Sequence, residues 1–442
     1  MNRVAALVLV VALVVTARHV AADDAGRFAT MALGFILIAA AIVGEAASRV
    51  RLPRLTGYLV TGLALGPSVL NVLSPRMARE LDLVNGLAVA LIAFSAGVEM
   101  DLEALRASWK SLARHGGFLI GGLFAGLFAV ALLVSPWVSF TAGLPWARRI
   151  AVALVFAAVM ATFSPVVTVA VLAETRARGK LAERTLALVV MGDLALVVLF
   201  TVSTAVAHLL DERGSARLGV GMLLGKAAGH VAFEVLGSLV AGIIAGVAVA
   251  IYRRLVHRRS GLMVVATCLV IAEVGSRLGL SSILTSVMAG VIVRNVASEA
   301  AQEMQDVLEH VRVPVLVVFF AAAGASLHLA QLMELLPVVL GTVLVRAGLI
   351  QVMNRVGARA GGVPAPVARN VPAGLISQAG VTVGLVIVVA ESFGAWGRAI
   401  ETLSLAVISL HELIGPIVFR AALARLGEIP PAETAPAEPQ PG

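Results

Sequence analysis

Val189-Val190-Met191-Gly192-Asp193-Leu194-Ala195-Leu196-Val197-Val198-Leu199-Phe200 sets one acid inside an apolar run. The nearest charge on its amino side is Arg184, nine residues away. At ~1.5 Å of rise per residue, that distance carries the carboxylate roughly 14 Å into a bilayer, near its middle. A charge at such depth costs on the order of 3 kcal/mol. A group kept there faces protein or water and handles protons or ions; the alternative is a structural carboxyl, protonated or paired with a base on another helix. The position favours the first reading.

Apolar runs recur on both sides of this one. They are Val4–Val20, Phe28–Ser48, Leu55–Leu73, Leu83–Met100, Phe118–Phe140, Ile150–Ala173 and Thr185–Leu210. A longer run, Gly219–Tyr252, follows, then Leu262–Gly275, Leu280–Val296, Val311–Leu329, Leu332–Val356, Val371–Glu391 and Ile400–Leu423. With 60% hydrophobic residues over 442 positions, the chain reads as an all-α polytopic membrane protein embedded in a lipid bilayer, with neither enzyme motif nor cofactor site. The net charge of +8 does not signal nucleic acid, because the basic residues sit in short loops and the aromatic content is only 5%. The single cysteine, Cys268, excludes an intrachain disulfide and a multi-cysteine metal site.

Loop charge sets the orientation. Clusters at Arg49/Arg51/Arg54, Arg106/Lys110/Arg114, Arg176–Arg184, Arg253–Arg259 and Arg355–Arg369 fall on alternate loops, which marks that side as cytoplasmic. The C-terminus then lies in the cytoplasm, and the expected location is the bacterial inner membrane. Residues 1–27 read either as a cleaved signal peptide, with Val20-Ala21-Ala22 as its small-residue motif, or as an added helix. Residues 425–442, rich in Pro, Ala and Glu, read as a disordered tail.

Leaving the first segment aside, residues 28–210 hold six runs, residues 262–424 hold six more, and residues 219–252 link them. An odd linker inverts the second half, the inverted-repeat plan of secondary transporters with a site at the midplane between broken helices. The fifth run of each half carries a matching weak point. One is Thr162-Phe163-Ser164-Pro165 and the other Ser377-Gln378-Ala379-Gly380. Two crossed broken helices are expected there.

These residues resemble the monovalent cation:proton antiporter superfamily, in particular its bacterial branch with Kef-type proteins. The resemblance rests on Gly57-Tyr58-Leu59-Val60-Thr61-Gly62-Leu63-Ala64-Leu65-Gly66-Pro67-Ser68, Phe94-Ser95-Ala96-Gly97-Val98-Glu99-Met100-Asp101-Leu102, Ser164-Pro165 with Val169–Glu174, and Phe319–Leu327. It implies a homodimer, with a dimerisation domain and a mobile core that carries the ion site between membrane faces. It also implies that H⁺ and Na⁺ or K⁺ compete for a carboxylate on the fifth helix of the first half, where Asp193 falls. Relatives place Asp, Asn or Gln before that Asp, where this chain has Gly192, so exchange is expected to be electroneutral and one for one. Arg346 matches a basic residue of the family's second half. Phe163 stands where a Thr is usual and Gln378 where many relatives have Arg.

Hard monovalent cations take oxygen ligands, and Asp193, the Ser164 hydroxyl, the Thr162 hydroxyl or carbonyl, and carbonyls freed by Pro165 are the candidates. No metal beyond the transported cation is expected. Arg346 has two readings: it pairs with Asp193 or balances the broken-helix dipoles, or it is a strut to another helix. Glu273 and Glu234 are accessory candidates, and Glu99 with Asp101 reads as an interfacial ion-pair cluster. His411-Glu412 lacks the second His of a zinc-protease motif, since position 415 is Gly. His208, His230 and His328 read as interfacial. Gly117/Gly121, Gly122/Gly126 and Gly242/Gly246 are small-residue pairs for close packing, with a dimer interface as one use. The leading function is H⁺ exchange for Na⁺ or K⁺ by alternating access, in a role open between pH homeostasis, salt tolerance and osmotic adjustment. The alternatives are a Kef-like K⁺ efflux pathway and a non-transporting sensor or scaffold on the same fold.

Overall fold

The computed structural model describes residues 25–50, 52–70, 82–99, 102–211, 220–256, 261–297, 314–325, 333, 335–378 and 381–430. Val4–Val20, Gly380, Asp101, His328 and the tail beyond residue 430 lie outside them, as do the side chains of Glu99, His230 and Glu234. The regular structure within the described residues is helical. The first half comprises α1 (Ala25–Arg49), α2 (Arg54–Leu65), α3 (Asp82–Glu99), α4 (Leu102–Val134), α5 (Trp146–Met160), α6 (Pro165–Thr175) and α7 (Lys180–Asp211). The linker is α8 (Val220–Val256). The second half comprises α9 (Gly261–Leu278), α10 (Ser282–Val296), α11 (Pro314–Ala325), α12 (Leu336–Ala360), α13 (Ala365–Gly374) and α14 (Val381–Arg425).

Trp109–Val134, Trp146–Thr175, Lys180–His208, Leu336–Ala360 and Ser392–Arg425 are long and apolar enough to cross a membrane by length and composition. Each apolar run inside the described residues meets a helix, but three boundaries differ for physical reasons. α4 starts at Leu102 rather than Phe118, because the basic stretch Leu102–Arg114 holds good helix formers and no Gly or Pro. The fifth run of each half is split in two. The last two runs stay two helical segments within α14, separated where Phe393 and Gly394 leave helical geometry, and Gly394 takes φ 59°, which its lack of a Cβ permits. The His208 ring lies 4.4 Å from Phe393, which stacks on Trp396 at 4.3 Å, so this histidine supports the bend.

The helices pack as two groups. In one, α4 lies along α12, α5 lies along α7, and α13 and α14 close the bundle. In the other, α10 lies along α3 and α8, with α9 against α3, while α1 lies along α2, which also meets α6 and α14. Close backbone crossings hold the second group. A Cβ on Gly97 would collide with the Val287 carbonyl, and one on Gly290 with that of Phe94, where α3 meets α10. α2 and α11 repeat the arrangement with Gly62 on Ala321 and Gly324 on Leu59. Each crossing thus pairs two glycines, one from each helix, against the facing backbone. Gly242 and Gly246 admit α10 to the linker helix, and Gly122 and Gly126 admit α12 to α4, so both pairs serve contacts within the chain. Gly117 and Gly121 have no neighbour within 4 Å.

Two acids fasten helix starts across the structure. The Glu174 carboxylate accepts the Arg54 and Leu55 N–H groups at the start of α2, the latter at 3.3 Å, and Arg54 pairs with Glu45 at 2.9 Å. Glu428, in the stretch read as tail, accepts from Leu181 N–H at 2.7 Å and Ala182 N–H at 2.9 Å at the start of α7. Its carbonyl accepts from Arg178 N–H at 3.0 Å. Residues 426–430 are thus docked on the helix that carries Asp193. A carboxylate there satisfies two orphan donors and favours the positive end of the dipole. Glu428→Ala is expected to lower stability by about 1 kcal/mol, read as a lower melting temperature in detergent. An unchanged melt would mean that the clamp contributes nothing.

Candidate ion and proton site

The first break begins where α5 ends at Met160. Thr162, Phe163 and Ser164 are non-helical, and α6 restarts at Pro165. Ser164 is its N-cap, with Oγ accepting the Val167 N–H at 3.1 Å. Pro165 sits at the first helical position, where a missing N–H costs nothing. The second break follows Gly374 and runs through Ser377 and Gln378 before α14 begins at Val381. Pro372 prepares it, because a proline cannot donate to the carbonyl four residues back, that of Ala368. Asn354 on α12 supplies the donor instead, its Nδ2 reaching Ala368 O at 2.7 Å. The Asn354 Oδ1 then faces His115 Nε2 at 3.0 Å, and Arg184 Nε donates to His115 Nδ1 at 3.2 Å. Since Asn354 and Arg184 fix who donates, His115 carries its proton on Nε2.

The two breaks touch each other. The Ser164 N–H donates to Ser377 O at 2.9 Å, and the Thr162 and Thr382 hydroxyls lie 2.9 Å apart. Arg346, 1% exposed, reaches across both. Its Nε donates to Met160 O at 2.8 Å, and its Nη2 to Thr162 O at 2.6 Å and Leu375 O at 3.2 Å. Its Nη1 donates to Ile376 O at 2.9 Å. These carbonyls lie at or just beyond the C-terminal ends of α5 and α13. Each helix end carries a partial charge of about −0.5, so one guanidinium balances the pair. The geometry therefore favours dipole compensation among the readings open for Arg346.

Gln378 completes the crossover. Its Nε2 donates to Thr162 Oγ1 at 2.8 Å and approaches the Val159 and Met160 carbonyls at 3.4 and 3.3 Å. Its Oε1 lies 2.8 Å from His411 Nδ1. Thr162 is thus engaged through its carbonyl, with Arg346, and through its hydroxyl, with Gln378 and Thr382.

Asp193 sits half-buried on α7, one residue from this crossover. A Cβ on Gly192 would lie 2.7 Å from Cδ2 of Phe163, so α7 presses on the residue before Ser164. Gly192 and Phe163, two of the three departures read in the sequence, therefore pack together, and the ring fills the space that a side chain at 192 would need. The Phe163 ring also lies 5.8 Å from the Arg346 guanidinium carbon. One turn before Asp193, Val190 lines a small cavity with Pro165 and Val169 of α6, Ala93 of α3 and Val287 of α10. That cavity lies on the border between the two helix groups. Glu273 lies elsewhere, at the end of α9, where Arg277 donates to it through Nε at 2.8 Å.

Sequence reasoning missed His411, Gly415, His115 and Asn354. The available signal was spacing: His411 and Gly415 lie one turn apart on one face of an apolar helix. His411 was weighed only as half of a protease motif.

Arg346→Met leaves at least four buried carbonyls without a charged donor, and is expected to cost about 3 kcal/mol or more. Arg346→Lys should retain part of this, both read by thermal unfolding. Gly192→Ala is expected to destabilise the protein by about 1–3 kcal/mol through overpacking on Phe163, and Phe163→Ala should relieve it. Additive losses in the double variant would contradict that contact.

Comparison with known proteins identifies the family. Residues 34–425 match the family described as sodium/hydrogen exchanger, transmembrane. The probable Na(+)/H(+) antiporter GerT of Bacillus cereus is 33% identical over 97 residues, 21% of this chain and 25% of that protein. The Na(+)/H(+)-K(+) antiporter GerN of Bacillus cereus is 31% identical over 100 residues, 22% of this chain and 25% of that protein. The alignments thus span about a quarter of either relative's length. The sodium proton antiporter MjNhaP1 from Methanocaldococcus jannaschii, solved at pH 8, superposes with a TM-score of 0.61 over 90% of this chain and 95% of that one. At 17% identity it supports the fold. With residues 34–425 matched, the chain belongs to the transmembrane sodium/hydrogen exchanger family.

Proposed function

We propose that this protein exchanges a monovalent cation, Na⁺ or K⁺, for H⁺, with Asp193 as the carboxylate for which the two compete. The observation that carries the reading is the place of Asp193, half-buried beside a crossover whose negative helix ends Arg346 already neutralises. With those ends balanced by Arg346, the Asp193 carboxylate is the group we assign to an incoming cation. A proton or one monovalent cation neutralises it equally well, so each loaded form crosses the membrane without net charge. Gly192 offers no second acid, which makes the exchange one for one and electroneutral. Membership of the family supports cation:proton exchange, and the names of GerT and GerN supply Na⁺ and K⁺ as the ions to test.

Ser164 is the oxygen ligand we assign beside Asp193, together with carbonyls at the first break. Thr162, with both oxygens engaged inside the crossover, holds the break open instead. Pro165, Ser377 and Gln378 belong to the broken segments that let these carbonyls face a path. The group of α4–α7 with α12–α14 is the moving core, and the glycine-crossed group is the scaffold through which two copies pair. The cavity under Val190, on their border, marks where the site meets a membrane face. Residues 28–210 and 262–424 act as the inverted repeats, with the C-terminus in the cytoplasm of the bacterial inner membrane.

The test is dissipation of a pH gradient in proteoliposomes on adding Na⁺, Li⁺ or K⁺, for wild type and Asp193→Asn. Cation-dependent proton movement is expected in wild type, unaffected by clamping the membrane potential and absent in the variant. Folded wild-type protein that answers none of the three ions would contradict exchange.

A further inference from the structure

We propose that His411 is the positioning residue of the crossover: it fixes the Gln378 amide, and through it the Thr162 hydroxyl and the break that presents oxygens to the cation. The proposal deepens the exchange reading and rests on it for its transport readout.

The face of α14 that bears His411 and Gly415 docks on the second break. A Cβ on Gly415 would collide with the Ser377 hydroxyl, so the two backbones lie as close as glycine allows. One turn earlier His411, 1% exposed, points its Nδ1 at the fully buried Gln378. The amide of Gln378 has one sensible orientation. The end near α5 faces two carbonyl oxygens, Val159 O and Met160 O, and the Thr162 hydroxyl. Only the NH₂ end suits that surrounding, because an amide oxygen there would meet two carbonyl oxygens. The Oε1 therefore faces His411 and accepts from Nδ1–H, which also assigns the tautomer of the ring.

A chain of bonds follows from that one donor. Nδ1–H holds Oε1, the amide NH₂ then meets Thr162 Oγ1, and Thr162 ties to Thr382 in the first turn of the second half-helix. Removing the donor leaves Oε1 buried without this partner and makes the reversed amide competitive. The reversed amide repels the α5 carbonyls and gives up the Thr162 bond, which loosens the tie between the half-helices. A cation site built from the oxygens of the break weakens as a result.

The experiment measures cation-dependent proton movement in proteoliposomes for wild type, His411→Asn, His411→Gln and His411→Leu, at matched amounts of folded protein. Asn sets an N–H near the position of Nδ1, whereas Gln sets it near Nε2. The Leu and Gln variants are expected to raise the half-saturating cation concentration about tenfold or more. The Asn variant should stay near wild type. Half-saturation equal to wild type in all variants overturns the proposal, as does a loss of maximal rate alone. A double-mutant cycle between His411→Leu and Gln378→Leu, followed by thermal unfolding, tests the tie without transport. Strong coupling is expected, and additive effects overturn the proposal. A silent wild type would count against exchange, while this cycle still decides the His411–Gln378 link.

Discussion

One guanidinium makes the rest of this structure possible. Two helices stop in the middle of an apolar bundle, and each leaves carbonyls that would ordinarily seek water. Arg346 takes four carbonyls at or just past the two ends, and so converts two interrupted helices into one joint. The burial of an arginine is expensive, but the two helix ends together offer roughly the opposite charge. The remaining bonds at the crossover, between Ser164 and Ser377 and through Gln378 to Thr162, then set how the two breaks face each other.

The consequence for function lies in what this leaves to Asp193. Arg346 spends its bonds on carbonyls, and the crossover polar groups spend theirs on one another. In the proposed exchange, the acid on α7 is the charge that a proton or a cation answers. Phe163 reinforces this by filling the space beside Gly192, so the site gains an apolar wall where a second polar side chain would otherwise reach in. The small cavity below is lined by residues of α3, α6, α7 and α10.

Much of this was legible in the sequence, because the signals were one-dimensional. A lone acid deep in an apolar run, a proline after a serine at one weak point and an arginine in another apolar run each carry their cost on the page. Boundaries were less legible: α4 runs on through basic residues because a helix does not end where the membrane does. Partnerships were illegible. Nothing near His411 in sequence points to Gln378, and nothing near Asn354 points to the carbonyl that Pro372 leaves unmatched, because both are contacts between distant helices. The same holds for Gly192 and Phe163, read separately as departures and joined only by packing. Thr162 read as a ligand because its hydroxyl sits beside the break, while its commitment to Gln378 and Thr382 depends on the second half of the chain.

The central claim is that one carboxylate is shared by the proton and the cation. Proton release from detergent-solubilised protein on adding Na⁺ or K⁺, in weakly buffered solution, tests it without any membrane. The account predicts about one proton released per chain bound, and none from Asp193→Asn. Cation binding without proton release, or release that survives in Asp193→Asn, would contradict it.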